Sequence, residues 1–249
     1  MKNISKVGES FAILGLADIA LYEGRVADAS EMLEKKIALD TKEGRTDYLG
    51  NKWALLAYAR LLSRKKGLAL EAADRAVAAT KEIGTMCCAA QVYLQTGNEE
   101  RALSIATELG RRLGPEPRAY AKIIEGEIIK KKGKIHEAIE LFNQAQEILD
   151  TWLGRFSLGK VYLDIEAYPD ARKELDSCRE RHGEAASVFF NDLPSIHYLP
   201  LIHYYLGRAQ EGLGSPAAAE SYQTFLKIKA NSDEGDPLVE DCLRRLALL

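Results

Sequence analysis

Histidines, thiols, a lysine run and two adjacent phenylalanines are the residues of this chain whose types could do chemistry, and spacing decides what each can do. The histidines are His136, His182, His197 and His203. None of them has the i, i+4 partner that would let two imidazoles share a zinc ion on one helix face, so packed or surface histidines are expected and no metal site. Cys87, Cys88, Cys178 and Cys242 show no C-x-x-C spacing and are too sparse for a disulfide scaffold, which favours a reducing, cytoplasmic setting. Adjacent thiols at Cys87 and Cys88 fall on different sides of one helix and read as small packing residues in preference to a redox pair. The chain carries no glycine-rich phosphate loop, no H-R-D or D-F-G element and no G-x-S-x-G elbow. The expectation is a protein that is not an enzyme and needs no cofactor.

The run Lys130-Lys131-Lys132-Gly133-Lys134 sits where a helix should end. There it complements the helix dipole and keeps a turn solvated, the minority reading being an anion-binding patch. With a net charge of −3 and both signs interspersed, no basic face for nucleic acid is indicated. Residues 11–22 are largely apolar but include Asp18 and follow Glu9, so they read as a first helix, not a leader peptide. No stretch has the ~20 apolar residues of a membrane span. Phe189 and Phe190 fall in an irregular stretch. They either plug a gap in the array or form a docking loop.

The elements that must position these residues are helix pairs. Gly126-x-x-Ile129, a turn at Gly133 and Ala138-x-x-x-Phe142 recur as Leu158-Gly159-x-x-Tyr162 and Ala171-x-x-x-Leu175. A small residue on one helix facing Ala138 or Ala171 on the next would let the backbones approach, with Phe142 or Leu175 filling the space beyond. Ala29, Ala72, Ala102 and Ala218 mark the second helix of four further pairs, with turns expected at Gly24, near Gly67, at Gly97 and at Gly214. The intervals are unequal. The longest ones precede Ala72, around residues 41–51, and Ala218, where an insertion at 184–199 is expected. Asp236-Pro237 opens a last helix, apolar at Leu238, Val239, Cys242, Leu243 and Leu246. About thirteen helices and no strand are expected.

Helix–turn–helix units of roughly 34 residues with this pattern resemble the tetratricopeptide repeat family. The resemblance implies an all-α, right-handed α-solenoid of about six antiparallel helix pairs with a carboxyl-terminal capping helix. As one domain over 1–249, its units fall near 9–42, 48–82, 83–113, 117–150, 152–182 and 200–230, with the cap at 236–249. The stretch Tyr205-Leu206-Gly207 to Gly214-Ser215, with Asp236-Pro237-Leu238, also resembles the closing repeats of bacterial multidomain signalling proteins, notably serine/threonine protein kinases.

In that family the first helices line a concave face. Carried over, this implies the pairs Leu14/Asp18, Leu56/Arg60, Cys87/Gln91, Ile123/Glu127, Phe156/Lys160 and Tyr204/Arg208, each one turn apart. Leu14 and Asp18 stand where a Lys and an Asn would grip an acidic chaperone tail, which argues against that ligand. Phe156, Lys160, Tyr204, Arg208, Glu127, Gln91 and Arg60 are thus the candidate binding residues, suited to a segment with an acidic and an apolar side chain. The leading expectation is a non-enzymatic module that binds a peptide or protein segment, with a signalling domain attached in cis and no nucleic-acid or membrane partner. A small-ligand sensor regulating an attached kinase or transcription factor, and a self-assembling scaffold that forms homo-oligomers, are the alternatives.

Overall fold

The computed structural model describes residues 6–187, 193 and 195–249. Phe189 and Phe190 lie outside the described residues. The chain forms α1 Lys6–Glu23, α2 Val26–Lys42, α3 Leu49–Leu62, α4 Lys66–Ala79, α5 Ile83–Gln95, α6 Glu99–Gly110, α7 Pro115–Lys131, α8 Ile135–Ile148, α9 Trp152–Asp164 and α10 Tyr168–Glu180. A short α11 His182–Ser187, a 3-10 turn Ile196–Tyr198, α12 Leu199–Gly212, α13 Ala217–Ile228 and α14 Pro237–Leu246 follow. Among the described residues fourteen α-helices stand where about thirteen were expected; α11, at the start of the insertion, is the addition. The turn expected near Gly67 falls inside α4, and Arg64, at φ +59, makes it instead. No described residue is in a strand, and no helix among them is long and apolar enough to cross a membrane. Six antiparallel pairs and a closing helix make an α-solenoid.

The glycines do a different job from the one the repeat pattern implies. Gly126, Gly159 and Gly207 lie on the first helices of their pairs. A Cβ added there would meet Phe142 at 2.5 Å, Leu175 at 2.7 Å and Tyr222 at 2.5 Å. The bare backbone therefore faces the large residue, not the alanine a turn earlier, because helical side chains lean toward the N-terminus and reach back over the preceding turn. Ala138, Ala171 and Ala218 are nevertheless fully buried.

The long interval between the first two pairs is stabilised by charge. Asp40, near the end of α2, pairs with Lys52 of α3, both fully buried, and with Arg45 at 3.0 Å. Lys52 Nζ also donates to the Asp47 carbonyl at 2.9 Å. Burial opposes ionisation of Asp40, yet the Lys52 and Lys36 charges hold its pKa below the ordinary value.

At its other end the array meets its beginning. Lys229, just beyond α13, donates from Nζ to the Leu21 carbonyl at 2.9 Å. Asp233 donates its N–H to the Gly24 carbonyl at 3.0 Å and accepts from the Ala27 N–H at 2.8 Å. Gly24 sits at φ +84, and a Cβ there would meet Ser232 at 2.6 Å. A turn glycine expected only to end a helix is thus also a point of close approach between the two ends of the array.

Part of the insertion closes the interior. Buried Asp18 on α1 accepts from the backbone N–H of Ile196 at 2.8 Å and of His197 at 3.3 Å, and pairs with His197 Nδ1. The His197 ring packs on Tyr58, and Tyr198 packs against Tyr58, Trp152 and Phe156. Buried Tyr204, Tyr222, Phe225 and Cys242 make a second small core, where α14 covers the last pair. Asp236 caps α14 by accepting from the Leu238 N–H, with Pro237 in its first turn.

Candidate functional site

Three first helices, α5, α7 and α9, line a cavity of about 440 Å3. Its base is apolar and aromatic: Cys87, Tyr120, Ile123, Ile124, Leu153 and Phe156, with Tyr198 and Tyr205 completing the wall. Tyr120, Ile123, Ile124 and Phe156 are all buried, as helices flanked on both sides require. Its other end is polar, formed by Gln95, Glu127, Lys130, Lys131 and Lys160 near the C-termini of the same helices. Cations there complement the negative helix ends.

Glu127 and Lys160 face each other across the α7–α9 seam at 3.3 Å, and Ser157 Oγ donates to the same Glu127 oxygen at 3.0 Å. Burial disfavours the Glu127 carboxylate, but Lys160 and Lys130 outweigh it and hold its pKa below the usual range. Burial likewise opposes the Lys160 ammonium, and Glu127 outweighs it, so the pKa of Lys160 is raised. Both groups are charged at neutral pH. Lys160 Nζ also lies 5.1 Å from the Phe156 ring centroid, a cation–π contact. At the wall, Tyr198 donates its hydroxyl to Gln91 Oε1 at 2.7 Å. Burial pushes the Cys88 thiol up to about 12, so it is a packing group and not a nucleophile.

Of the candidate residues drawn from the sequence, the structure brings together Gln91, Glu127, Phe156 and Lys160 on this cavity. Arg60 stands apart, donating to Glu34 at 3.0 Å and to the Leu68 carbonyl at 3.2 Å between its own and neighbouring helices. Tyr204 is also elsewhere. It is 4 % exposed, packs on Phe225, and donates to Asp241 at 2.7 Å, so it anchors α14. Arg208, half-buried one turn on, does not line the cavity either. The sixth pair contributes Tyr205 instead, which meets Phe156 edge-on at 5.6 Å. One residue is about 100° around a helix, enough to exchange groove for core. Asp18, expected on the concave face, is buried and taken up by the backbone N–H groups of Ile196 and His197.

Sequence reasoning missed Tyr120, Tyr198, Lys130 and Lys131. The lysine run gave a usable signal, since a cationic helix end can face inward as well as out. Lys130 pairs with Asp164 at 2.9 Å, and Lys131 donates to the Leu94 carbonyl at 2.7 Å and pairs with Glu99 at 3.2 Å.

No family model matches the chain, and no curated protein matches it. Among solved structures, it is similar to a chain of the APC/C hetero-tetramer Cut9-Hcn1 at 16% identity and TM-score 0.49, covering 94% of this chain and 42% of that one. It is thus similar to less than half of that longer chain. It is also similar to YrrB, a TPR protein with an unusual peptide-binding site, at 14% identity and TM-score 0.43, covering 82% and 97%. A tetratricopeptide repeat protein from Parabacteroides merdae gives 13% identity and TM-score 0.43, covering 95% and 98%. Residue roles stand on this chain's own geometry.

Proposed function

We propose that the chain is a non-enzymatic interaction module and that the α5–α7–α9 cavity is its recognition site. A partner segment inserts an apolar side chain toward Phe156 and Tyr120 while an acidic group meets the lysines at the mouth. The supporting observation is that one cavity combines an aromatic base with three cations and one already neutralised carboxylate. Apolar anchors carry most of the affinity in such sites, and the charge-assisted bonds fix orientation. The placement of the chain as the docking portion of a bacterial signalling protein, with a kinase in cis, rests on the resemblance of its closing repeat alone. An arrayed library of short peptides pairing acidic and apolar residues tests the binding reading. Sequence-selective binders should lose at least tenfold in affinity with Phe156→Ala, and undiminished affinity would place recognition elsewhere.

A small-ligand sensor is the second reading, favoured by one observation. Tyr198, held by Gln91 and flanked by the residues that Asp18 binds, gives the cavity an aromatic wall beside Phe156. About 440 Å3 lies in the ~300–1,000 Å3 range of small-molecule sites.

A further inference from the structure

Resting on the small-ligand reading, we infer that the cavity takes an amphiphilic carboxylate: an unbranched apolar chain of medium length with one anionic head at the lysine mouth. Along α7 and α9 the polarity of the lining runs in a single direction. On α7 the lining proceeds from Tyr120 through Ile123 and Ile124 to Glu127, Lys130 and Lys131. On α9 it proceeds from Leu153 and Phe156 to Lys160. At 1.5 Å per residue these stretches span roughly 10–16 Å. Exposure follows the same gradient: Tyr120 is 1% exposed, whereas the side chain of Lys131 is 40% exposed.

Charge selects the head group. Among the charged lining residues three are cations and one, Glu127, is an anion already paired with Lys160. Lys130 and Lys131 are held by Asp164 and Glu99, whose side chains are 40% and 35% exposed. Such surface pairs contribute little, so a ligand carboxylate can take over either lysine at small cost while Asp164 or Glu99 returns to water. Volume sets the tail. At roughly 30 Å3 per water-sized group, the cavity of about 440 Å3 holds about 15 heavy atoms, room for decanoate with a few waters at the mouth. A cationic head would meet the lysines, and an uncharged one would leave them with nothing gained.

Isothermal titration of the full chain with octanoate, decanoate, dodecanoate and, as the uncharged control, decanol tests this, each below its aggregation concentration. One-to-one binding is expected, tightening about fourfold per added methylene up to decanoate. Decanol and the Lys130→Gln/Lys131→Gln double variant should bind at least tenfold more weakly. Ile123→Phe, which shortens the base, should shift the preference to octanoate while melting like the wild type. Absent or multi-site binding, equal affinity for decanol, or equal affinity in the lysine double variant would overturn the inference. If the acids fail while a thermal-shift screen finds non-acidic compounds that stabilise the wild type and not Ile123→Phe, the sensor reading stands and this ligand class falls. If neither binds, both fall.

Discussion

Asp18→Ala is the sharpest perturbation of the closed interior. The carboxylate is 1% exposed and is the acceptor for two backbone N–H groups, those of Ile196 and His197, and the partner of His197 Nδ1. Removing it strands three polar groups in a buried place. Each stranded group costs about 1–3 kcal/mol, but the 3-10 turn is short and can shift toward water, so the total should come to about 3–5 kcal/mol. That is a large share of the ~5–15 kcal/mol that separates a folded domain from its unfolded chain. Urea unfolding should show a midpoint about 1–2 M below wild type. In a Trp53→Phe background, Trp152 reports locally, since its ring lies 6.3 Å from that of Tyr198. Its emission should change in the native baseline, before any global transition. Asp18→Asn keeps one acceptor and should recover part of the loss. A variant within 0.5 kcal/mol of wild type, with unchanged Trp152 emission, would mean that the 3-10 turn is not held to α1.

Gly207→Ala should destabilise by about 1–3 kcal/mol in thermal or denaturant melts, because the new Cβ would meet the Tyr222 ring at 2.5 Å in a packed seam. Gly67→Ala, where nothing lies within 4 Å, is the neutral control. Asp241 gives a pH test. Burial raises its pKa, but the Tyr204 hydroxyl, Arg245 and Arg244 outweigh burial and bring it to about 2, from an ordinary 3.8. A depressed carboxylate stabilises above its unfolded pKa and loses that contribution as pH falls through the folded one. Asp241→Asn should therefore cost about 2 kcal/mol at pH 7 and progressively less between pH 4 and pH 2. A pH-independent difference would show that the charge of Asp241 does not hold α14.

The helix pairs were legible because apolar periodicity and turn glycines are local signals. Gly97, Gly133 and Gly214 all adopt positive φ at their turns, at +85, +78 and +64. The part of the cavity formed by Gln91, Glu127, Phe156 and Lys160 was legible because α5, α7 and α9 follow one another at near-equal spacing. Tyr204 was misplaced where that regularity fails. The 3-10 turn runs straight into α12 and resets its phase, so the neighbouring Tyr205 faces the cavity. Nothing local marks the approach of Asp233 to Gly24 or of His197 to Asp18, since each joins residues far apart in the chain. The role of Gly126 was hidden for a different reason: whether it faces Ala138 or Phe142 depends on side-chain tilt, which periodicity does not encode.

The claim that the α5–α7–α9 cavity is the recognition site is tested most directly by filling it. The measurement is the affinity of one selected ligand, an array-derived peptide or decanoate, for wild type, Ile123→Trp and Arg208→Ala, with melting curves as the folding control. The account predicts a loss of at least tenfold for Ile123→Trp, whose indole occupies the base, and wild-type affinity for Arg208→Ala, which lies outside the cavity. Unchanged affinity in Ile123→Trp, or a loss confined to Arg208→Ala, would contradict it.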